Sequence, residues 1–544
     1  MPSTVKKVDV VSIVIVLVGV ILGIAQRKNL PAVPLWTPDT WGHLNPALSW
    51  LGGDGFQQTQ GRDWLYPAIL ATTIRFGEGF SSIVRLQQCL SLLAAPLLWF
   101  GVRLWLSIFP RRSVLYHSVA VLLGAVAAFV YVLGTDQIQL ELTIGPEGLL
   151  AFFIIVHFIC FLAYFRGRWI TRQPSSAIVF GGGMLLSCYT LILLKPSWSL
   201  AVVPVFCVLV AGMFGSGSGT MRFAPAAVGL LLLGAEYASP HLLQFKPDLG
   251  SRTLLPFNLI EIHAGQIVEN AKRHHLLEGN EKRSDNTETR FYPALEQAWE
   301  EARIQPFRVH TLGFDPDYIQ YHWKLFSAFQ SEQKLTDDEL IKLCYHAYFR
   351  VWRESPGIMV AKIAGQFYLF LTAPSKDFSA HALSRSRFRQ NAAALGPSIK
   401  ESLAEVTSRG YTDEPAYARY LDALQTVYAE GLQINRVAFQ RHLAIAFAKL
   451  SLWIQAAFFA ALFCVICDRR FCDLRLSGYA AALVTAGLYG NVLTISIVHT
   501  LEVERYRTSY APALLLTLVI MTGFLIGFCE QLFQHLKLKV NKRP

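Results

Sequence analysis

The sequence predicts an all-α, polytopic integral membrane protein with about ten transmembrane helices. Three observations carry that prediction. Of the 544 residues, 53% are hydrophobic and only 16% are charged, where a soluble domain carries about 25% charge. Mean hydropathy is +0.36. Apolar runs long enough to cross a bilayer recur along the chain.

The runs fall near 8–25, 86–107, 114–134, 147–165, 176–194, 198–214, 223–239, 444–467, 475–498 and 509–532. The first follows Lys6 and Lys7, as the core of a signal peptide would. It is as long as a full span, and no small-residue cleavage site follows it, so a retained helix is expected. Basic residues then set the orientation. Lys6 and Lys7 precede the first span, and Arg111 and Arg112 follow the second. Arg166, Arg168 and Arg172 follow the fourth, and Arg222 follows the sixth. Arg469, Arg470 and Arg475 follow the eighth, and Lys537, Lys539, Lys542 and Arg543 end the chain. With ten spans, all these clusters share one side, the cytoplasm.

The opposite, exoplasmic side collects 26–85, 135–146, the corner at Lys195-Pro196, the long segment 240–443, and 499–508. The expected organisation is a transmembrane module over 1–239, with its first exoplasmic loop at 26–85. An exoplasmic, mostly helical segment follows over 240–443, and a second transmembrane module over 444–544. Within 240–443, helical periodicity marks 290–305, 317–332, 336–354 and 413–441. The apolar stretch 356–373 would place Arg505 on the wrong side if it spanned, so an interfacial helix is expected. Arg385, Arg387 and Arg389 after it suit either lipid phosphates or a solvated basic turn.

The net charge of +11 fits basic cytoplasmic loops. No basic stripe interleaved with aromatics points to nucleic acid. The nine cysteines lie mostly in apolar runs or at a membrane edge, so no disulfide framework is expected. Cys464-x-x-Cys467 reads more readily as edge thiols than as metal ligands. No internal repeat is evident.

Candidate chemistry gathers on the exoplasmic side. In Thr37-Pro38-Asp39, Thr37 suits an N-cap, Pro38 the first turn, and Asp39 a position where the helix dipole keeps a carboxylate ionised. His43 lies one turn on. The plainer reading is an ordinary helix start. Gly61-Arg62-Asp63-Trp64-Leu65-Tyr66-Pro67 precedes a short apolar helix over 68–76. Arg62 suits bidentate phosphate binding, and Asp63 suits an ion pair with Arg62 or a second carboxylate. Trp64 and Tyr66 suit an aromatic belt. Asp136, Glu141 and Glu147 lie between the third and fourth spans, and Pro146-Glu147 opens the fourth. Lys195-Pro196 and Glu502-Val503-Glu504-Arg505-Tyr506-Arg507 offer cations at span ends, either for a lipid phosphate or as snorkelling side chains. Of the ionisable residues inside spans, His157 reads as a packed histidine, and Glu236 is the other main one.

Taken in order, these motifs resemble the GT-C superfamily of polytopic glycosyltransferases that use polyprenyl-phosphate-linked sugars. The likeness is greatest to the branch of protein O-mannosyltransferases and the lipid A aminoarabinose transferase. It rests on Asp39 after the first span, Gly61-Arg62-x-x-x-Tyr66-Pro67, Pro146-Glu147, Lys195-Pro196, and Arg505-Tyr506 with Pro512. The long segment 240–443 has no counterpart in it. The resemblance implies a GT-C-like fold and an active site on the exoplasmic face, in a bacterial inner membrane. Asp39 would be the catalytic acidic residue, acting on an acceptor hydroxyl as base or orienter. Arg505, with Arg507, Lys195 and Arg62, would hold the lipid phosphate, and Asp63, Tyr66, Glu147 and Tyr506 would line the substrate site. Thr40 follows Asp39 where many relatives have a second acid. A divalent metal is therefore left open, with no ligand set in view and no other cofactor expected. The expected partners are a polyprenyl-phosphate sugar donor, membrane lipids, and a glycan, lipid or protein acceptor. Two rivals remain. A lipid or glycan transporter or flippase would call for repeats or broken mid-membrane helices. A non-catalytic assembly protein would leave Asp39 and Arg505 far apart.

Overall fold

A chain inside a bilayer must satisfy its backbone groups internally, and an apolar segment does so by coiling into a helix. The computed structural model describes residues 3–37, 39–57, 62–109, 113–214, 219–242, 249–277, 287–306, 312–322, 325–372, 413–498 and 503–540. Among these the fold is all-α, with no strand beyond an isolated parallel bridge between Leu35 and Thr143. Among the described residues, nine helical segments are long and apolar enough to cross a membrane: Val5–Lys28, Ser81–Leu106, Val114–Val132, Glu147–Ile170, Pro174–Leu194, Pro196–Phe214, Ala438–Cys467, Arg469–Val498 and Arg505–Lys537. The protein is a multi-pass integral membrane protein.

In chain order the helices are α1 (Ser3–Lys28), α2 (Thr40–Gly52), α3 (Leu65–Phe76), α4 (Ser81–Leu106), α5 (Val114–Val132), α6 (Thr135–Leu142), α7 (Glu147–Phe165), α8 (Pro174–Leu194), α9 (Val202–Phe214) and α10 (Gly219–Leu242). After them come α11 (Leu249–Ile262), α12 (Ala264–Arg273), α13 (Thr287–Arg303), α14 (Leu325–Gln333), α15 (Asp337–Glu354), α16 (Pro356–Thr372), α17 (Glu414–Glu430), α18 (Ala438–Cys467), α19 (Arg475–Val498) and α20 (Val503–Val540). The segment expected to span at 223–239 forms α10, which is not among the nine. It nevertheless runs parallel to α8. Gly181 lies against Pro225, Gly182 against Val228, and Gly229 against Leu185, while the Tyr189 hydroxyl donates to Glu236.

The ends of the bundle are distinct in character. At one end Arg103 bonds Asp9 at 3.1 Å, His117 meets Asp9 at 3.0 Å, Arg168 donates to the Gly212 carbonyl at 2.6 Å and Arg475 to that of Val465 at 3.1 Å. At the other end lie the C-termini of α1 and α8 and the N-termini of α7 and α20. Helices inside a bilayer have little hydrophobic drive to associate, so close approach is supplied by small residues. A Cβ on Gly523 would stand 2.8 Å from the Trp105 ring, and one on Gly124 would stand 3.1 Å from Val102.

A second, smaller core joins α11 to α15, with Ile260, Ile267, Phe291, Leu325 and Cys344 buried in it. α16 links it to the main core. Met359 belongs to the small core, whereas Phe370 and Leu371 belong to the large one. α16 packs antiparallel to α19: Lys362 Nζ lies 3.4 Å from the Ser496 carbonyl, and Phe367 meets Tyr489 edge-on at 5.3 Å. The helix expected over 413–441 breaks after Glu430, because Gly431 takes φ +82° and releases the chain into an extended stretch before α18. The basic cluster at 385–389 lies outside the described residues.

One buried ion pair fixes the end of the bundle that matters most. Arg27, in the last turn of α1, grips Glu141 of α6 through Nε–Oε2 and Nη2–Oε1, both 2.6 Å, and its Nη1 donates to the carbonyls of Gly23 and Val132. The two side chains are 3% and 0% exposed. Removing one partner strands the other's charge, so Glu141→Ala is expected to cost about 3–5 kcal/mol. The paired change Arg27→Met with Glu141→Leu should cost much less. Thermal unfolding in detergent checks both, and equal losses would show that the pair adds no charge coupling.

Candidate active site

The site is assembled by tying three loops together. The Leu35 N–H bonds the Leu142 carbonyl at 2.6 Å, and the Ile144 N–H returns to the Leu35 carbonyl at 3.1 Å. This joins the chain before Asp39 to the chain before Glu147. Tyr66, on α3, accepts from the Gly145 N–H at 2.8 Å and donates to Gln87 Oε1 at 3.1 Å. Gln87 Nε2 in turn donates to the carbonyls of Glu141 and Thr143 at 2.8 and 2.9 Å. From α17, the Tyr420 hydroxyl holds the Pro34 carbonyl at 2.7 Å, and the Tyr428 hydroxyl pairs with the Trp36 backbone.

On this frame the carboxylates and cations interlock. Asp39 Oδ1 accepts from Arg62 Nη2 at 2.6 Å, and Asp39 Oδ2 lies 2.7 Å from Arg505 Nη2. The same Arg505 nitrogen reaches Glu147 Oε1 at 3.1 Å. Glu147 Oε1 also accepts from Lys195 Nζ at 2.8 Å, and Lys195 lies 4.2 Å over the Tyr506 ring. Among the described residues of this cluster, three cations face two carboxylates. Asp39 is the part nearest solvent at 29% exposure, with Glu147 beneath it at 5%. Burial works against the charge on Asp39, but the Arg505 and Arg62 guanidiniums outweigh it and hold the carboxyl well below the usual carboxylate range. Burial pulls the Lys195 ammonium down, and the Glu147 charge works against that.

Several expectations change here. α2 begins at Thr40, so Thr37 is not its N-cap. Asp39 takes the cap position without bonding a backbone N–H. Its low pKa comes from two arginines because both its oxygens turn to them. Asp63 does not pair with Arg62, which is taken by Asp39. Burial and then the Glu236 charge raise Asp63 to about 6. Tyr66 is buried at 2% exposure, and its hydroxyl braces the Glu147 loop. Arg507, two residues past Arg505, projects from the opposite face of α20 into a separate cavity with Asp136 and Gln137. Tyr506 supports Lys195. Pro38, Gly61 and Glu502 lie outside the described residues.

His43 stands beside the cluster, edge-on to Tyr66 at 5.1 Å. Burial, with Arg62 adding to it, pushes its pKa down to about 3, so it is neutral. Gln87 and Arg27 are the supporting residues that sequence reasoning missed. Arg27 carried one signal: a cation at the end of a span opposite the basic clusters. Among the described residues no group of three or more His, Cys, Asp or Glu is placed to hold a metal ion.

The raised Asp63 gives a pH signature. Its folded pKa exceeds the unfolded carboxylate value, so its contribution to stability is full below about pH 4 and is lost as pH rises through about 6. As pH rises from 4 to 6, the destabilising contribution of Asp63 should be absent from Asp63→Asn, so the melting temperature of wild type should drop relative to that of the variant. Parallel profiles would refute the placement.

No known protein-family profile matches the sequence, and no curated protein matches it. Among solved structures, the chain is similar to the crystal structure of ArnT from Cupriavidus metallidurans bound to undecaprenyl phosphate. The identity is 13% and the TM-score 0.30, over 90% of this chain and 77% of that one.

Proposed function

We propose that the protein is a membrane glycosyltransferase that moves a sugar from a polyprenyl-phosphate-linked donor to an exoplasmic acceptor, whether glycan, lipid or protein. The observation that carries this reading is Asp39 set between Arg62 and Arg505, with Lys195 and Glu147 completing the cluster at one end of the helical bundle. Glycosyl transfer from a lipid phosphate needs this combination. The acceptor oxygen attacks the anomeric carbon while the bond from that carbon to the phosphate oxygen breaks. The acceptor proton must leave, and the departing phosphate gains negative charge.

Asp39 is the group placed to orient the acceptor hydroxyl and take its proton. Arg505 and Lys195 are fixed donors for the leaving phosphate, in a site where partial burial strengthens them. Arg62 holds the other oxygen of Asp39. In the resting site Asp39 is a weak base, because two guanidiniums stabilise its charge. A donor phosphate that draws Arg505 toward itself removes part of that field and raises the basicity of Asp39 when the donor is in place. The sidedness of the motifs supports the exoplasmic face, since Arg103, Arg168 and Arg475, from or beside the basic clusters at span ends, lie at the other end of the bundle. The transporter reading gains nothing from the fold, and the scaffold reading loses the separation of Asp39 and Arg505 that it called for.

The test is transfer in membranes from cells making the wild-type chain, with a panel of polyprenyl-phosphate sugars as donors. Sugar transfer coupled to release of the polyprenyl phosphate is expected. No transfer from any donor would overturn the reading.

A further inference from the structure

The small core holds a cavity of 290 Å³ lined from α12, α13 and α16, with Leu312 and Phe314 as an apolar wall. That volume lies at the low end for small-molecule sites, about 300–1,000 Å³. It suits a single ring rather than a lipid chain or a folded partner.

Two buried polar atoms of the lining have no hydrogen-bond partner among the described residues, Trp299 Nε1 and Gln266 Oε1. The first only donates and the second only accepts. Gly265 lets the indole edge approach α12, since a Cβ there would stand 3.2 Å from Trp299 Nε1. Each such atom left unbonded costs about 1–3 kcal/mol, and hydroxyls, which donate and accept, relieve both. The charges of the lining are already matched. Glu269 accepts from Arg273. Lys272 pairs with Glu296 at 2.6 Å and lies 5.9 Å from the centroid of the Trp299 ring, which Arg303 also approaches, at 4.8 Å. Lys362 donates to the Ser496 carbonyl at 3.4 Å, and burial pulls its ammonium well below the usual lysine range. The cavity therefore suits a neutral, hydroxyl-rich ligand better than an ion.

Its place in the fold gives that ligand a use. His263 Nε2 lies 2.9 Å from the Ile497 carbonyl, so this bond and that of Lys362 seat the small core on the last turn of α19. Nine residues lead from Ser496 to Arg505, at most about 32 Å of extended chain.

We propose that this cavity is a saccharide subsite, holding one neutral sugar ring of an extended glycan acceptor while another part of the same glycan reaches Asp39. Ring hydroxyls donate to Gln266 Oε1 and accept from Trp299 Nε1, and the C–H face of the ring lies on Leu312 and Phe314. The inference rests on the glycosyltransferase reading and narrows its acceptor to a glycan. The binding itself is measured without donor or transfer.

The full chain would be purified in a detergent without a sugar head group and probed by saturation-transfer NMR. The probes are millimolar glucose, galactose, mannose, N-acetylglucosamine and, as a peptide control, trialanine. A signal on the ring protons of at least one sugar, and none on trialanine, is expected. Gln266→Leu keeps the size of the side chain and removes the unpaired oxygen. It should weaken that sugar about tenfold, the weight of one hydrogen bond, with the melting temperature level or raised. Asp39→Asn should bind the sugar as wild type does, because no wall of the cavity comes from the Asp39 cluster. In the transfer assay Gln266→Leu should raise the KM for the glycan acceptor and leave the donor KM level, which separates an acceptor ring from the donor's sugar. No signal on any sugar, equal binding in Gln266→Leu, a signal on trialanine instead, or a raised donor KM would overturn the proposal. Sugar binding without transfer from any donor would overturn the enzyme reading and keep the saccharide site. Transfer without sugar binding would do the reverse.

Discussion

Asp39→Asn is expected to lower sugar transfer by about 10²–10⁴-fold while leaving the protein folded. Asparagine keeps the size and planarity of the carboxylate, so the 2.6 Å and 2.7 Å contacts to Arg62 and Arg505 lose charge rather than space. Asp39 lies toward solvent at the surface of the cluster, which keeps the stability cost small. What disappears is the group proposed to take the acceptor proton. The variant also has a distinctive kinetic shape. Removing one carboxylate raises the net positive charge facing the donor phosphate, so the donor KM should stay level or fall while kcat collapses. A general loss of structure would instead raise KM and cut expression. Transfer at the wild-type rate would remove Asp39 from the mechanism and make Glu147, the other carboxylate on Arg505, the group to test next.

The fold was legible because each membrane segment announces itself by length and apolarity alone. Asp39, Glu147, Lys195 and Arg505 were legible as a set for a related reason: each sits at a span end, and basic-residue sidedness puts those ends on one face before any coordinates are known. What the sequence did not reveal was the wiring. Arg62 and Asp63 are neighbours in the chain, so a pair between them reads naturally. Yet Arg62 goes to Asp39, across 23 residues, and Asp63 is left facing Glu236. Arg505 and Arg507 read alike as phosphate ligands, but two positions on a helix point to opposite faces, and the neighbours of each face decide its role. Gln87 has no local motif. It matters because its amide closes three hydrogen bonds between loops far apart in sequence. Such contacts are set by tertiary packing, which residue spacing does not encode.

Arg505 is the second residue whose loss should be severe. A single atom, its Nη2, touches both Asp39 and Glu147, at 2.7 and 3.1 Å, so it joins the carboxylate proposed to take the proton to the carboxylate that anchors Lys195. Arg505→Ala is expected to reduce kcat/KM by about 10²–10³-fold, the size of losing one fixed donor to a developing anion. Arg505→Lys should recover part of the loss, since one nitrogen, Nη2, makes both contacts and an ammonium can imitate it, while the longer reach of the guanidinium is lost. The loss should be chemical and not structural. With Arg505 gone, Arg62 still pairs with Asp39, and Glu147, 5% exposed, keeps Lys195 at 2.8 Å. The melting temperature of Arg505→Ala should therefore stay near that of wild type while transfer falls. Adding Glu147→Gln strands the buried Lys195 ammonium and should lower the melting temperature. A melting temperature that falls with Arg505→Ala and is restored by Glu147→Gln would mean that Arg505 serves to neutralise Glu147. Transfer lost with the melting temperature held would support Arg505 acting on the substrate phosphate.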